Sequence, residues 1–133
     1  MAINISEFEV ILYVHDPILS KQFYESLLKS KPILDVPGMT EFQISPTCKL
    51  GLMPNDGIAK VLQPHLPHPH LGTGIPRCEL YFYVDDIENE HQNIAALGIN
   101  IISELSDRDW GDSVFYFSDP DGHVIAFAQK NGY

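Results

Sequence analysis

Apolar residues along the chain fall into two kinds of run, one with strand character and one with helical spacing. Phe8 to Val14 (FEVILYV) is β-branched, aromatic and nearly continuous in apolar residues, which predicts a buried strand. His15-Asp16-Pro17 follows, with Asp16 placed as an N-cap and Pro17 at the first helical position. Leu19, Phe23 and Leu27 then recur at four-residue spacing, predicting a helix to about Leu28 with that apolar face. Short strands are expected over 32–36, 39–44 and 48–53, separated by Pro37-Gly38 and Pro46-Thr47. From Asn55 to Pro76 the pattern breaks down into prolines and glycines. A loop with at most one helical turn near 58–62 is expected there.

The pattern then restarts. Glu79, Tyr83, Val84 and Asp86 lie seventy residues after Glu9, Tyr13, Val14 and Asp16, in the same order within an apolar run. A helix is expected over 87–97, with Ile87, Ile94 and Leu97 apolar and Gly98 ending it. Strands follow over 99–104, 113–117 and 123–129. The last two are joined by Asp119-Pro120-Asp121-Gly122, in which Pro presets φ and Gly accepts a positive φ, so the joint is a tight hairpin. Each half reads βαβββ. The α+β chain is therefore expected to be one domain of two tandem modules, about 5–54 and 77–130, joined by a Pro/His-rich connector over 55–76.

Charge narrows the partners. The 133 residues carry a net charge of −10, and the excess is lopsided: residues 1–70 hold seven acids against five lysines, residues 71–133 eleven acids against three bases. Nucleic acid is excluded as a partner, because phosphate binding needs clustered Lys and Arg. No apolar run approaches the roughly 20 residues of a membrane helix, so no membrane partner is expected. The N-terminal residues lack the basic and apolar regions of a signal peptide, and Cys48 and Cys78 do not make a disulfide framework. A cytoplasmic location is the expectation.

The closing stretch DRDWGDSVFYFSDPDGHVIAFAQ, from Asp107 to Gln129, resembles the final hairpin of the vicinal-oxygen-chelate superfamily of glyoxalases, bleomycin-resistance proteins and extradiol dioxygenases. The internal repeat supports the resemblance over essentially the whole chain. It implies a curved mixed sheet around a cleft, and a homodimer. It also implies four cleft-facing metal ligands, on the first and last strands of each module. By position these are Glu9, Gly51, Glu79 and Ala126. Two of the four carry no side-chain donor. Stoichiometric transition metal is therefore not expected, and no cofactor is, although Glu9 and Glu79 with waters could hold a divalent ion weakly. Restoring Glu at Ala126 would add the family's own ligand. Glu41, on a neighbouring strand, is a conceivable substitute.

Strand alternation places Ile11 and Tyr13 with Glu9, Lys49 and Met53 with Gly51, and Tyr81 and Tyr83 with Glu79. Tyr116 and Trp110-Gly111 resemble cleft aromatics of the antibiotic-resistance members. The resulting ligand-binding set is Glu9, Tyr13, Met53, Glu79, Tyr81, Trp110 and Tyr116, an aromatic box with two carboxylates, suited to flat or cationic molecules. Glu9 and Glu79 are the candidates for acid–base chemistry. Asp109 and Asp112 either cap the turn or face the ligand. His65, His68 and His70 look like a metal tract, but the intervening prolines forbid helical i, i+4 spacing, and a solvated loop is the expectation. His15 and His123 sit in turns and read as structural. Three functions compete: a binding protein without the full family metal site, a metal-dependent lyase, thiol transferase or extradiol dioxygenase using Glu9 and Glu79, and an assembly protein whose cleft is vestigial, which only the missing ligands favour.

Overall fold

The computed structural model describes residues 2–132. It divides into two compact units, one ending at Thr73 and the other starting at Gly74. The first contains β1 (Phe8–Val14), α1 (Pro17–Leu28), β2 (Leu34–Val36), β3 (Met39–Ser45), β4 (Cys48–Pro54), α2 (Asn55–Leu62) and a short 3-10 helix over Pro69–Gly72. The second contains β5 (Glu79–Tyr83), α3 (Ile87–Ala96), β6 (Ile101–Asp107), β7 (Asp112–Ser118) and β8 (Val124–Lys130). Each unit builds a four-stranded mixed sheet, and the order is the same in both: β1-β4-β3-β2 and β5-β8-β7-β6. The first and last strands of each module pair in parallel, the rest antiparallel. Two tandem βαβββ modules, as the repeat predicts, are what the chain forms.

Local chemistry sets the helix starts. Asp16 accepts from the backbone N–H groups of Ile18 at 3.0 Å and Leu19 at 3.2 Å, and Asp86 accepts from Asn89 N–H at 3.1 Å. The face that α1 buries differs from the one its apolar spacing predicts. Ser20, Tyr24 and Leu27 are buried, whereas Leu19 is exposed and Phe23 lies edge-on to Tyr24 at 5.1 Å. Tyr24 carries more contact area than Leu19 and packs near Phe42, so it takes the inward position. In α3, Ile87 and Ile94 are buried while Leu97 is exposed, and His91 lies edge-on to Phe115 at 4.9 Å.

β1 buries Leu12 and Val14 in the core with Leu50, Leu52 and Phe42, while Ile11 and Tyr13 on the opposite face, and Phe8 at the start of the strand, are exposed. The second core centres on Phe115, Phe117, Phe127 and Ile125. The connector is more ordered than its prolines and glycines predict. Gly57 is tolerated inside the two-turn α2, because Asn55 and Ala59 on one side are buried as the helix packs on β4 and β1. Among the described residues no helix is long and apolar enough to cross a membrane.

The DPDG turn is held by Asp119. Its fully buried carboxylate accepts from the backbone N–H groups of Asp121 and His123, each at 2.9 Å, and from His123 Nδ1 at 2.8 Å. Gly122 adopts φ +87°, and a Cβ there would stand 3.0 Å from the Cα of Gly74, whose N–H donates to Asp121 O. Burial opposes the charge on His123, but the hydrogen bond and negative charge of Asp119, with Asp121, outweigh it and raise the imidazole pKa above its ordinary value. The raised value means the pair stabilises the fold fully below about pH 6.5 and loses that contribution as pH rises through the folded value. Denaturant midpoints taken from about pH 5.5 to 8.5 should fall across that window, and His123→Gln should flatten the fall.

Candidate functional site

One face of the first sheet carries the polar cluster. Register places Glu9 beside Lys49, Ile11 beside Gly51 and Tyr13 beside Met53, with Glu41 across from Gly51 on β3. Lys49 Nζ lies 3.6 Å from a carboxylate oxygen of Glu9 and 3.6 Å from one of Glu41. The second oxygen of Glu9, Oε2, is buried and has no hydrogen-bond partner. Burial first, and then the Glu41 carboxyl, push the Glu9 pKa above the ordinary carboxylate value, with Lys49 pulling the other way. The Lys49 pKa is itself raised, chiefly by the charge of Glu41.

Gly51 explains how Glu9 fits. A Cβ at that position would come 2.5 Å from Glu9 Oε2, and 3.2 Å from Ile11 Cγ1 and Met39 Sδ. The absent side chain is the space into which the Glu9 carboxylate folds. Gly51→Ala is expected to cost about 1–2 kcal/mol. The cost should be markedly smaller in a Glu9→Ala background, where the closest contact is gone. Urea unfolding of the four proteins of that cycle checks it, and strict additivity would contradict the packing described.

The second sheet builds an aromatic cluster around Asp112, which is nearly fully buried. Its Oδ2 accepts from Tyr81 Oη at 2.6 Å and Tyr83 Oη at 2.8 Å, and the indole N–H of Trp110 donates to Tyr81 Oη at 2.8 Å. Lys130 Nζ sits 4.6 Å from the centre of the Tyr83 ring, and the Arg108 guanidinium 5.3 Å from that of Tyr116. The tyrosine hydroxyls hold the Asp112 carboxyl below its usual range, against the effect of burial. Burial, then the hydrogen bond to Asp112, push Tyr81 up to about 12. Trp110 and Tyr83 stay more than half exposed while their polar atoms are tied down. Tyr81 and Tyr116 pack on a fully buried patch of Val114, Ala126 and Ala128. Glu79 is exposed at the start of β5, and its charge, after burial, raises the Tyr116 pKa.

The structure thus brings Glu9, Lys49, Glu41 and Gly51 together on one module, with Tyr13 and Met53 further along the same strands. It brings Tyr81, Trp110, Tyr83 and Asp112 together on the other, with Tyr116 beside Tyr81. Asp112 is the residue whose role the sequence conceals. Alternation with Val114 and Tyr116 along β7 does put it on their face, and that parity is the signal that finds it.

Within each module one of the two family positions carries no donor for a divalent ion. Gly51 supplies no donor and its space is filled by the Glu9 carboxylate, Ala126 is covered by two tyrosines, and the cation beside Glu9 is an internal lysine. A partial set of metal-ligating groups does occur elsewhere. Ligand atoms of Asp119, Asp121 and His123 lie within 4.8 Å of one another, already committed in part to holding the turn.

The family model for the glyoxalase-like domain matches residues 8–130. No curated protein matches the chain. Among solved structures, a glyoxalase/bleomycin resistance protein/dioxygenase from Nocardioides superposes with a TM-score of 0.79 at 21% identity, covering 100% of this chain and 87% of its own. A virulence protein from Salmonella typhimurium gives 0.74 at 22% identity, covering 98% and 99%. A lactoylglutathione lyase from Agrobacterium tumefaciens gives 0.73 at 21% identity, covering 95% and 96%. At these identities the likeness is one of fold. With the repeated module and its strand order, the match over residues 8–130 makes this chain a member of the glyoxalase-like domain family, within the glyoxalase, bleomycin-resistance and dioxygenase superfamily.

Proposed function

We propose that the protein binds a small aromatic or cationic molecule and does so without a divalent ion at the family's metal position. The observation that carries this reading is the pair of carboxylates at Glu9 and Glu41, served by the one ammonium group of Lys49 at 3.6 Å from each. A ligand cation beside them would offset the excess negative charge. The exposed Trp110, pinned through Tyr81 and Asp112, offers pre-oriented stacking surface. The proposed contacts are Glu9, Tyr13, Met53, Glu79, Tyr81, Trp110 and Tyr116. A homodimer in the cytoplasm that sequesters a toxic cation, as antibiotic-resistance proteins do, is part of the same proposal. The exposed Phe8 at the start of β1 is apolar surface such a dimer would cover.

Fluorescence of Trp110 provides the test, using three probes of one shape: naphthylmethylammonium, naphthylmethanol and naphthoate. The cation should bind most tightly and the anion least. Glu9→Gln or Glu79→Gln should weaken the cation by about 1–3 kcal/mol, the worth of a charge-assisted contact. If naphthoate binds best, and neither substitution matters, the reading is wrong.

One observation favours an enzyme instead. A carboxyl with a raised pKa and an unpartnered oxygen is a suitable proton acceptor, so Glu9 would act as the base of a lyase, thiol transferase or dioxygenase. Turnover of a hemithioacetal or catechol that Glu9→Gln abolishes would establish that alternative.

A further inference from the structure

The histidines of the connector converge. β1 and β4 run parallel and in register up to Val14 and Pro54, so His15 and Asn55-Asp56 leave the sheet side by side. The chain returns to this edge through the 3-10 helix over Pro69–Gly72, and His15, Pro54, Asn55, Asp56, His68 and His70 line a cavity of about 290 Å³. His68 Nε2 lies 2.8 Å from Asp56 Oδ1, and His68 Nδ1 lies 2.6 Å from His70 Nδ1. The prolines on either side of His68 do exclude helical spacing. The tight turn into the 3-10 helix brings the two rings to a 4.4 Å centroid separation without it.

An ionised carboxylate can only accept, so Asp56 fixes the proton of His68 on Nε2 and leaves Nδ1 with a lone pair. That lone pair accepts from the backbone N–H of His70 at 3.2 Å and also faces Nδ1 of the His70 ring. A proton on His70 Nδ1 joins the two rings by a hydrogen bond, and a metal ion can take the place of that proton. A carboxylate behind one histidine is also the arrangement by which metal-binding histidines are oriented.

We propose that Nδ1 of His68 and Nδ1 of His70 bind a divalent transition-metal ion of the zinc type, with His15 also on the cavity wall and Asp56 as the positioning residue. Tetrahedral coordination at 2.0–2.1 Å per bond requires the two nitrogens to separate to about 3.3 Å, a ring movement the part-exposed loop permits. The site is distinct from the four family positions and from the DPDG turn, and it does not depend on the small-molecule reading. Bound metal would fasten the connector to the edge of the first sheet.

The test is calorimetric titration of tag-free, chelator-stripped protein with Zn²⁺. One saturable equivalent is expected. Affinity should fall at least about tenfold in His70→Ala and about tenfold in Asp56→Asn, the usual loss for a ligand's orienting partner. His65→Ala and His123→Gln should leave it unchanged. Circular dichroism confirms that each variant is folded, and His70→Gln serves if the alanine variant is not. The proposal is overturned by the absence of saturable binding. It is equally overturned by binding that survives loss of both His68 and His70 and disappears with His123→Gln.

Discussion

Ala126→Glu is expected to destabilise the second module by about 3–5 kcal/mol rather than to rebuild a metal site. Position 126 is the family's last ligand position, and on sequence alone a glutamate there adds a third carboxylate. The structure changes the arithmetic. Ala126 is fully buried on the sheet face, with Tyr81 and Tyr116 packed on the patch it forms with Val114 and Ala128. A glutamate must displace both rings, and its charge enters an apolar patch. Tyr81 also holds Trp110 and Asp112, so its displacement disorders the aromatic cluster as well. Thermal or urea unfolding measures the loss. A variant as stable as the parent, binding Mn²⁺ stoichiometrically, would show that the tyrosines yield easily.

Asp119→Ala is expected to cost about 2–4 kcal/mol. The substitution strands the N–H groups of Asp121 and His123 and removes the ion pair of His123 in one step. Asp119→Asn retains one acceptor oxygen and should lie between the two. The same loss should erase the pH dependence of stability that His123 confers. If Asp119→Ala unfolds within experimental error of the parent, the turn is held by Gly122 and its neighbours instead.

The repeat was legible because it rests on strand alternation and helix capping, both local. Glu9 and Glu79 stand at equivalent places, and Asp16 and Asp86 each cap a helix as their spacing implies. The buried face of α1 was not legible, because Tyr24 and Ser20 are inward and Leu19 outward, and polarity alone ranks them the other way. Hidden too was α2, since Gly57 and the following prolines mask a helix stabilised by packing on the sheet. At the site, sequence position exposes the missing donors at Gly51 and Ala126. What fills their places depends on register and side-chain direction: the Glu9 carboxylate over Gly51, tyrosines over Ala126, and Lys49 reaching Glu41 on the far side of its strand. The histidine pair at 68 and 70 needed the turn geometry itself.

The most direct test of the central claim is the titration of the protein with naphthylmethylammonium in the presence of excess chelator, and again after adding back Mn²⁺ or Zn²⁺. The account predicts the same dissociation constant in both, weakened by Glu9→Gln and by Trp110→Ala. Binding that vanishes with chelator and returns with one equivalent of metal would contradict it.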